Sequence, residues 1–334
     1  MLILAAILGC ACARAQWTFL TEGNVGLPRS ETDAWIRLAS WDADERIPPA
    51  MYERLQGHPN YPATIQGFAA RVLDISRIDV SFDGICKDVS RYGAAQWVVY
   101  LHLTGGLNLP RLKQMCVSSR LLSPGRARAL LLYLRYIDFV EPLGRREHGE
   151  AAQYRPTAAL FAAWIALARA ALEAMALVEP ATNAAIAKLG ERDFLHALLR
   201  HMGEGFLQAS MALPQDTSFF RVFLHRNAGL QFLYWMIVMA RDHGDGFPPR
   251  KPIALNISAV AQDLNVSRTH VRRMLRAAEE EGLLLRGEDS RVQFTAELAF
   301  DSEFALSTLI LGYVISAVKA QRELSLQSVA AIAS

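Results

Sequence analysis

The stretch from Ile257 to Thr295, ISAVAQDLNVSRTHVRRMLRAAEEEGLLLRGEDSRVQFT, holds the residues with the clearest chemistry. Spaced at about 100° per residue, Thr269, Arg272, Arg273 and Arg276 fall on one side of a helix, flanked by Arg268 and His270. A guanidinium donates two parallel hydrogen bonds, a geometry that fits guanine O6 and N7 or the oxygens of a phosphate. A threonine near the start of such a helix reaches a base edge or a thymine methyl. Three arginines with no acid among them differ from an ordinary solvated face, which mixes signs. The acids come later, as Glu279-Glu280-Glu281, toward the end where the helix would leave a duplex groove.

Several elements must position that face. Val271, Met274, Leu275 and Ala278 form the opposite, apolar stripe. Ile257, Val260, Ala261 and Leu264 make a preceding short helix, Asn265 suits a turn that needs positive φ, and Ser267 is an N-cap. Small Ala261 lets the two helices cross closely. Gly282 ends the second helix, and LLLR and RVQFT read as a hairpin with Gly287-Glu288-Asp289-Ser290 at its tip. Arg286 and Arg291 stand at the strand ends, while Glu288 and Asp289 would be repelled by phosphate.

Helix, turn, helix and hairpin in this order resemble the winged helix-turn-helix transcription regulators grouped with the MarR and GntR families. The resemblance covers residues 217–300 well and 93–165 more loosely. It implies double-stranded DNA binding, with the second helix of each turn in the major groove and the hairpin near the backbone.

The looser copy lies 144 residues earlier: Ser123 matches Ser267, Ala127 matches Val271, Arg128 matches Arg272, Leu131 matches Leu275 and Val140 matches Leu284. Its candidate contacts are Ser123, Arg126 and Arg128, with Arg145 and Arg146 in the hairpin; Arg135, His148 and Arg155 add positive charge. Leu132 falls on the face that should meet DNA, beside Ala129.

The expected fold is mainly α with small β wings: two such units joined by a helical middle section. The expected division is an N-terminal segment at 1–30, a region of several short helices at 31–92, a first unit at 93–165, a helical linker or dimerisation region at 166–216, a second unit at 217–320 and a tail at 321–334. Phe219 to Ala240 reads as one apolar helix.

Bulk composition is that of a globular chain: 334 residues, 52% hydrophobic and 20% charged. A net charge of only +2 means that any electrostatic footprint is local. Cys10, Cys12, Cys86 and Cys116 form no C-x-x-C pair and are expected as reduced thiols in a cytoplasmic protein. The apolar start MLILAAILGCACA has no charge before Arg14, which points to a first helix or a mis-assigned start codon more than to a secretion signal. Phe304 to Val318 and Asn227 to Ala240 are uncharged but shorter than a bilayer core requires, so no membrane span is expected. Buried helices or a homodimer contact near Phe304 to Val318 explain them better.

His196 and His201, five apart, point to different faces of a helix and make a poor metal pair. No phosphate-cradling glycine loop and no nucleophile elbow occurs, so neither catalytic residues nor a cofactor is expected. The aromatics Trp97, Tyr100, Tyr133, Tyr136, Trp164, Phe232, Tyr234 and Trp235 read as core in the first instance, with an effector pocket between helices as the sharper alternative. The leading expectation is a sequence-specific transcription regulator. A plasmid or phage replication initiator with tandem winged helices and a winged-helix protein scaffold are the alternatives.

Overall fold

The computed structural model describes residues 47–144, 151–212, 216–287 and 291–333. The apolar start with Cys10 and Cys12, the hairpin residues Arg145, Arg146 and His148, and the acidic tip Glu288–Ser290 lie outside the described residues. The chain is mainly helical, with two small antiparallel sheets.

Helices α1 (Pro49–Gln56), α2 (Tyr61–Ile78) and α3 (Val80–Ile85) lead into two structural units. The first contains α4 (Val89–Leu103), β1 (Leu107–Asn108), α5 (Leu109–Ser118), α6 (Pro124–Tyr136), β2 (Val140–Pro142) and β3 (Gln153–Pro156). Three helices follow: α7 (Ala158–Met175), α8 (Thr182–Lys188) and α9 (Arg192–Ala212). The second unit contains α10 (Gly229–Asp242), β4 (Ile253–Ala254), α11 (Ile257–Asp263), α12 (Arg268–Glu280), β5 (Leu284–Arg286) and β6 (Arg291–Phe294). The long α13 (Ala296–Ala333) completes the chain.

Short polar side chains decide where many of these helices begin. Asp79, Asp88, Asn108, Ser123, Asn256 and Ser267 each accept a hydrogen bond from a first-turn amide that has no partner within its own helix. Pro62, Pro110 and Pro124 occupy first turns, where their missing N–H costs nothing.

The weak internal similarity is a repeat of backbone geometry. Both sheets place the third strand in the middle, in the orders β1-β3-β2 and β4-β6-β5. The two turns use one left-handed residue each, Arg120 (φ 56°) and Asn265 (φ 48°). They close through Leu121 N to Cys116 O (3.1 Å) and Val266 N to Ala261 O (2.9 Å). Positive φ recurs at Asp138 and Gly282 after the longer helices. Thr157 N to Phe139 O (3.0 Å) and Thr295 N to Leu283 O (3.1 Å) then tie off the two hairpins alike. The hairpins differ in length: ten residues separate β2 from β3, and four separate β5 from β6.

One continuous hydrophobic cluster runs from Tyr52 to Ala320 and includes both units. Helix α13 packs on α9, α7, α8 and α1, while α2 packs on both α7 and α10. Trp97, Trp164 and Tyr313 are fully buried, and the Tyr92 ring meets Trp164 edge-on at 5.2 Å. At Gly93 a Cβ would stand 2.5 Å from Leu121 Cδ1 and 2.6 Å from the Phe206 ring, so α9 approaches this point too closely for any side chain.

Several expectations need correction. Helices α4, α7 and α13 run straight across the boundaries expected at 92/93, 165/166 and 320/321, because their apolar faces belong to the shared cluster. The region before residue 92 is not made only of short helices, since Pro62 opens the 18-residue α2. Phe219 to Ala240 is not one helix. A π-helical turn at Phe220–Leu224 is followed by a break at Ala228 (φ 59°), after which α10 begins. The chain around the break leaves no room for a side chain at 229, where a Cβ would lie 2.5 Å from the Val222 carbonyl.

The run 304–318 is the middle of a 38-residue helix, so its shortness no longer argues against a membrane span. By length and composition α7 and the Ala296–Ala330 part of α13 could each cross a bilayer, although 56% and 50% of their most apolar windows are buried within the molecule. Residues 304–318 are buried or half-buried within the chain itself. Tyr136 is 85% exposed and is not a core aromatic.

Candidate nucleic-acid interface

Helix α12 carries the arginine face, and its burial follows the apolar stripe. Val271, Met274, Leu275 and Ala278 are at most 1% exposed. Ser267, Arg268, Thr269, Arg272, Arg273 and Arg276 are all exposed. Among the described residues Arg268, Arg272, Arg273 and Arg276 form no ion pair. Several other exposed arginines are paired: Arg77 with Asp74, Arg155 with Glu141 and Arg221 with Glu281.

The helix is held at three places. Ser267 Oγ accepts from His270 N at 3.1 Å. The His270 ring donates through Nε2 to the Asn227 carbonyl at 2.7 Å, and Arg226 Nη1 donates to the Arg273 carbonyl at 3.1 Å. At the far end Glu281 accepts from Ser218 (2.7 Å) and Arg221 (2.5 Å), bonds that hold its carboxyl below the ordinary carboxylate range. The acidic run is therefore partly an anchor for the helix end, and Glu279 pairs with Arg286 at 3.4 Å.

Two expected contact residues change role. His270 is half-buried and bonded through Nε2 to the chain between the π-helical turn and α10, so it also positions α12. Arg286 is exposed but shares its charge with Glu279, whereas Arg291 is exposed and carries no ion pair among the described residues.

Below the turn, Lys87 Nζ reaches the Leu264 carbonyl at 2.6 Å and Asp83 Oδ2 at 2.7 Å. Sequence reasoning missed Lys87, Arg226 and Ser218, since nothing local marks residues whose partners are tens to hundreds of positions away. It also missed Arg250 and Lys251, which are exposed beside β4. Their amides both donate to Asp245 Oδ2 at 2.7 Å. Burial raises the Asp245 pKa, but these amides and that of Gly246 outweigh it and hold the carboxyl below its usual value. The loop thus presents two cations on the side of the sheet where Gln293 donates to the Arg250 carbonyl.

In the first unit α6 buries Ala127, Leu130, Leu131 and Leu134, and Ser123 Oγ accepts from Arg126 N at 3.4 Å. Arg126 and Arg128 are exposed and unpaired among the described residues. Ala129 and Leu132 are exposed beside them. Arg135 lies over the Tyr154 ring at 5.6 Å.

His196 stacks on Phe161, and His201 sits between Glu204 (3.1 Å) and Glu323 (3.0 Å). No group of metal-ligating side chains occurs among the described residues. Cys86 and Cys116 are free; burial pushes the Cys116 thiol up to about 12, so it is no nucleophile at neutral pH.

Comparison with family models, with curated proteins and with solved structures gave no match. The functional reading therefore stands on the side chains themselves.

The Ser267 cap makes the first local prediction. Ser267→Ala leaves the His270 amide without its acceptor and lowers stability by about 1 kcal/mol, read as a shift in the urea midpoint at unchanged m-value. An unchanged midpoint means that solvent satisfies the amide equally well.

Proposed function

We propose that this chain is a sequence-specific, double-stranded DNA-binding transcription regulator whose two structural units are winged helices of the MarR and GntR kind. Helix α12 enters a major groove with Thr269, Arg272, Arg273 and Arg276 toward the bases, and Arg268 and Ser267 toward the backbone. The β5–β6 hairpin lies along the backbone with Arg291 and the ion-paired Arg286. The first unit offers α6 in the same way, through Ser123, Arg126 and Arg128, with Arg145 and Arg146 on its hairpin. In this reading the protein is cytoplasmic, needs no cofactor and has no enzymatic step, and one chain supplies both heads without a second copy.

One observation carries the reading. Four arginines without ion pairs among the described residues, Arg268, Arg272, Arg273 and Arg276, project from one 13-residue helix whose opposite stripe is wholly buried. Leaving four like charges side by side costs self-repulsion, and a polyanion offsets that cost.

Selection of bound duplexes from a random pool by the full chain tests it, followed by a salt titration of the best site. A defined motif should emerge, and affinity should fall with a log–log slope of about −0.9 for each phosphate neutralised. No retained duplex even at low salt overturns the proposal and leaves a protein-binding scaffold.

The presence of two such units in a single chain favours a second reading, a replication initiator that binds iterated repeats. Genome-wide occupancy separates them: an initiator concentrates at one origin, a regulator at promoters.

A further inference from the structure

The register of the repeat allows the two recognition faces to be compared position by position. Ser123 and Ser267 cap their helices, and the buried stripes coincide: Ala127 with Val271, Leu130 with Met274, Leu131 with Leu275, Leu134 with Ala278. With the inward faces aligned, the outward faces follow. Arg128 matches Arg272. Ala129 stands where α12 has Arg273, and Leu132 where it has Arg276.

The difference is chemical and confined to that face. Leu132 is 50% exposed, and Ala129 is exposed beside it. A single exposed leucine is ordinary on a protein surface. A leucine and an alanine at the two positions where the sister helix carries arginines are a substitution of one recognition chemistry for another. Arginine matches the paired acceptors of guanine, whereas an apolar side chain in the major groove matches the 5-methyl group of thymine. Arg126 and Arg128 lie next to the apolar pair and are unpaired among the described residues, so the electrostatic attraction for phosphate is kept while the base-facing positions are apolar. The positive flanks argue for a polyanion over an apolar protein surface as the occupant.

Resting on the reading of both units as DNA-binding heads, we propose that they recognise unlike half-sites: α12 a guanine-bearing one through Arg272, Arg273 and Arg276, and α6 a thymine-bearing one through methyl contacts with Ala129 and Leu132. The bound site is then intrinsically asymmetric. Its orientation on the duplex is set by which head meets which half.

Deoxyuridine provides the test, because it removes the 5-methyl group and leaves pairing and phosphates unchanged. The probe is the best duplex from the random-pool selection, with thymines replaced by deoxyuridine in one half-site at a time. Replacement in the half bound by α6 should weaken binding about four-fold for each contacted methyl, the value of one buried methyl group. Replacement in the other half should leave affinity unchanged. Leu132→Ala should remove the share of the sensitivity owed to Leu132 and leave that of Ala129, and Leu132→Arg should move the selected base at that position toward guanine. Binding that is retained with no deoxyuridine effect, or with equal effects in both halves, overturns this inference alone. A Leu132→Ala chain that keeps its DNA affinity and deoxyuridine response but changes its size in solution identifies α6 as a protein contact and also overturns it. Failure to retain any duplex removes the DNA-binding reading itself.

Discussion

Alanine at both Arg272 and Arg273 lowers affinity for the selected duplex by orders of magnitude while the fold stays intact. Each guanidinium that reads a guanine is worth about 1–3 kcal/mol, roughly 5- to 150-fold, so the pair together governs most of the discrimination. Neither side chain is tied down: both are exposed, and neither is ion-paired among the described residues. The contact that does involve Arg273, from Arg226 Nη1, ends on its backbone carbonyl and survives the substitution. Stability should therefore move by no more than about 0.5 kcal/mol, as for surface changes away from any special feature. Electrophoretic mobility on the selected site measures the affinity, and repeating the selection with the variant measures the preference. The two must fall together, because a residue that only holds phosphate weakens all sequences alike. Unchanged affinity and unchanged preference would remove α12 as the reading helix.

Lys87→Met unfolds the molecule more readily, by about 3–5 kcal/mol, through the charge it leaves behind. Lys87 and Asp83 are 6% and 5% exposed, and their charges meet at 2.7 Å. The carboxylate also accepts from Gln231 Nε2 at 2.7 Å, and the ammonium donates to the Leu264 carbonyl at 2.6 Å. A methionine fills the same space but leaves Asp83 charged, buried and without its counter-ion. It also leaves the carbonyl at the turn between α11 and α12 unpaired. A fall in melting temperature on the order of 10 °C is expected for a chain of this size. The double variant Asp83→Asn with Lys87→Met should recover part of the loss, because the uncompensated charge is gone; the size of the recovery measures the coupling. Amide exchange should rise first around Leu264 to Ser267, since Lys87 ties that turn to the rest of the core. A loss below about 1 kcal/mol would mean that water reaches Asp83 in the folded state.

This buried pair also helps to explain how α12 is kept in place. Lys87 grips the turn before α12, His270 and the Arg273 carbonyl are bonded to Asn227 and Arg226, and Glu281 is bonded to Ser218 and Arg221. The base contacts proposed for α12 would call for such support at both ends and the middle.

Within the site, the legible features were those set by local periodicity and by first-turn chemistry. The stripe of Val271, Met274, Leu275 and Ala278 obliges the arginines to face outward on any helix, whatever it packs against. Ser267 and Asn265 mark the cap and the turn because their side chains and backbone preferences act within three residues. The hairpin followed from a glycine stop and two short runs. Even the repeat was visible, although as few as five matched residues stood for a geometry that recurs hydrogen bond by hydrogen bond.

Sequence by itself thus determined the outward direction of the basic face and the order of elements around it. Tertiary structure alone decided which of those side chains are left without a partner among the described residues. His270 and Arg286 had the same local credentials as Arg272 and Arg276, but one is spent on Asn227 and the other on Glu279. It also decided that both units share one core, that the chain breaks at Ala228, and that Lys87 supports a turn 177 residues away. The physical reason is range. Helical phase and capping are interactions within one turn, whereas pairing, burial and support depend on which distant segments the collapsed core brings together.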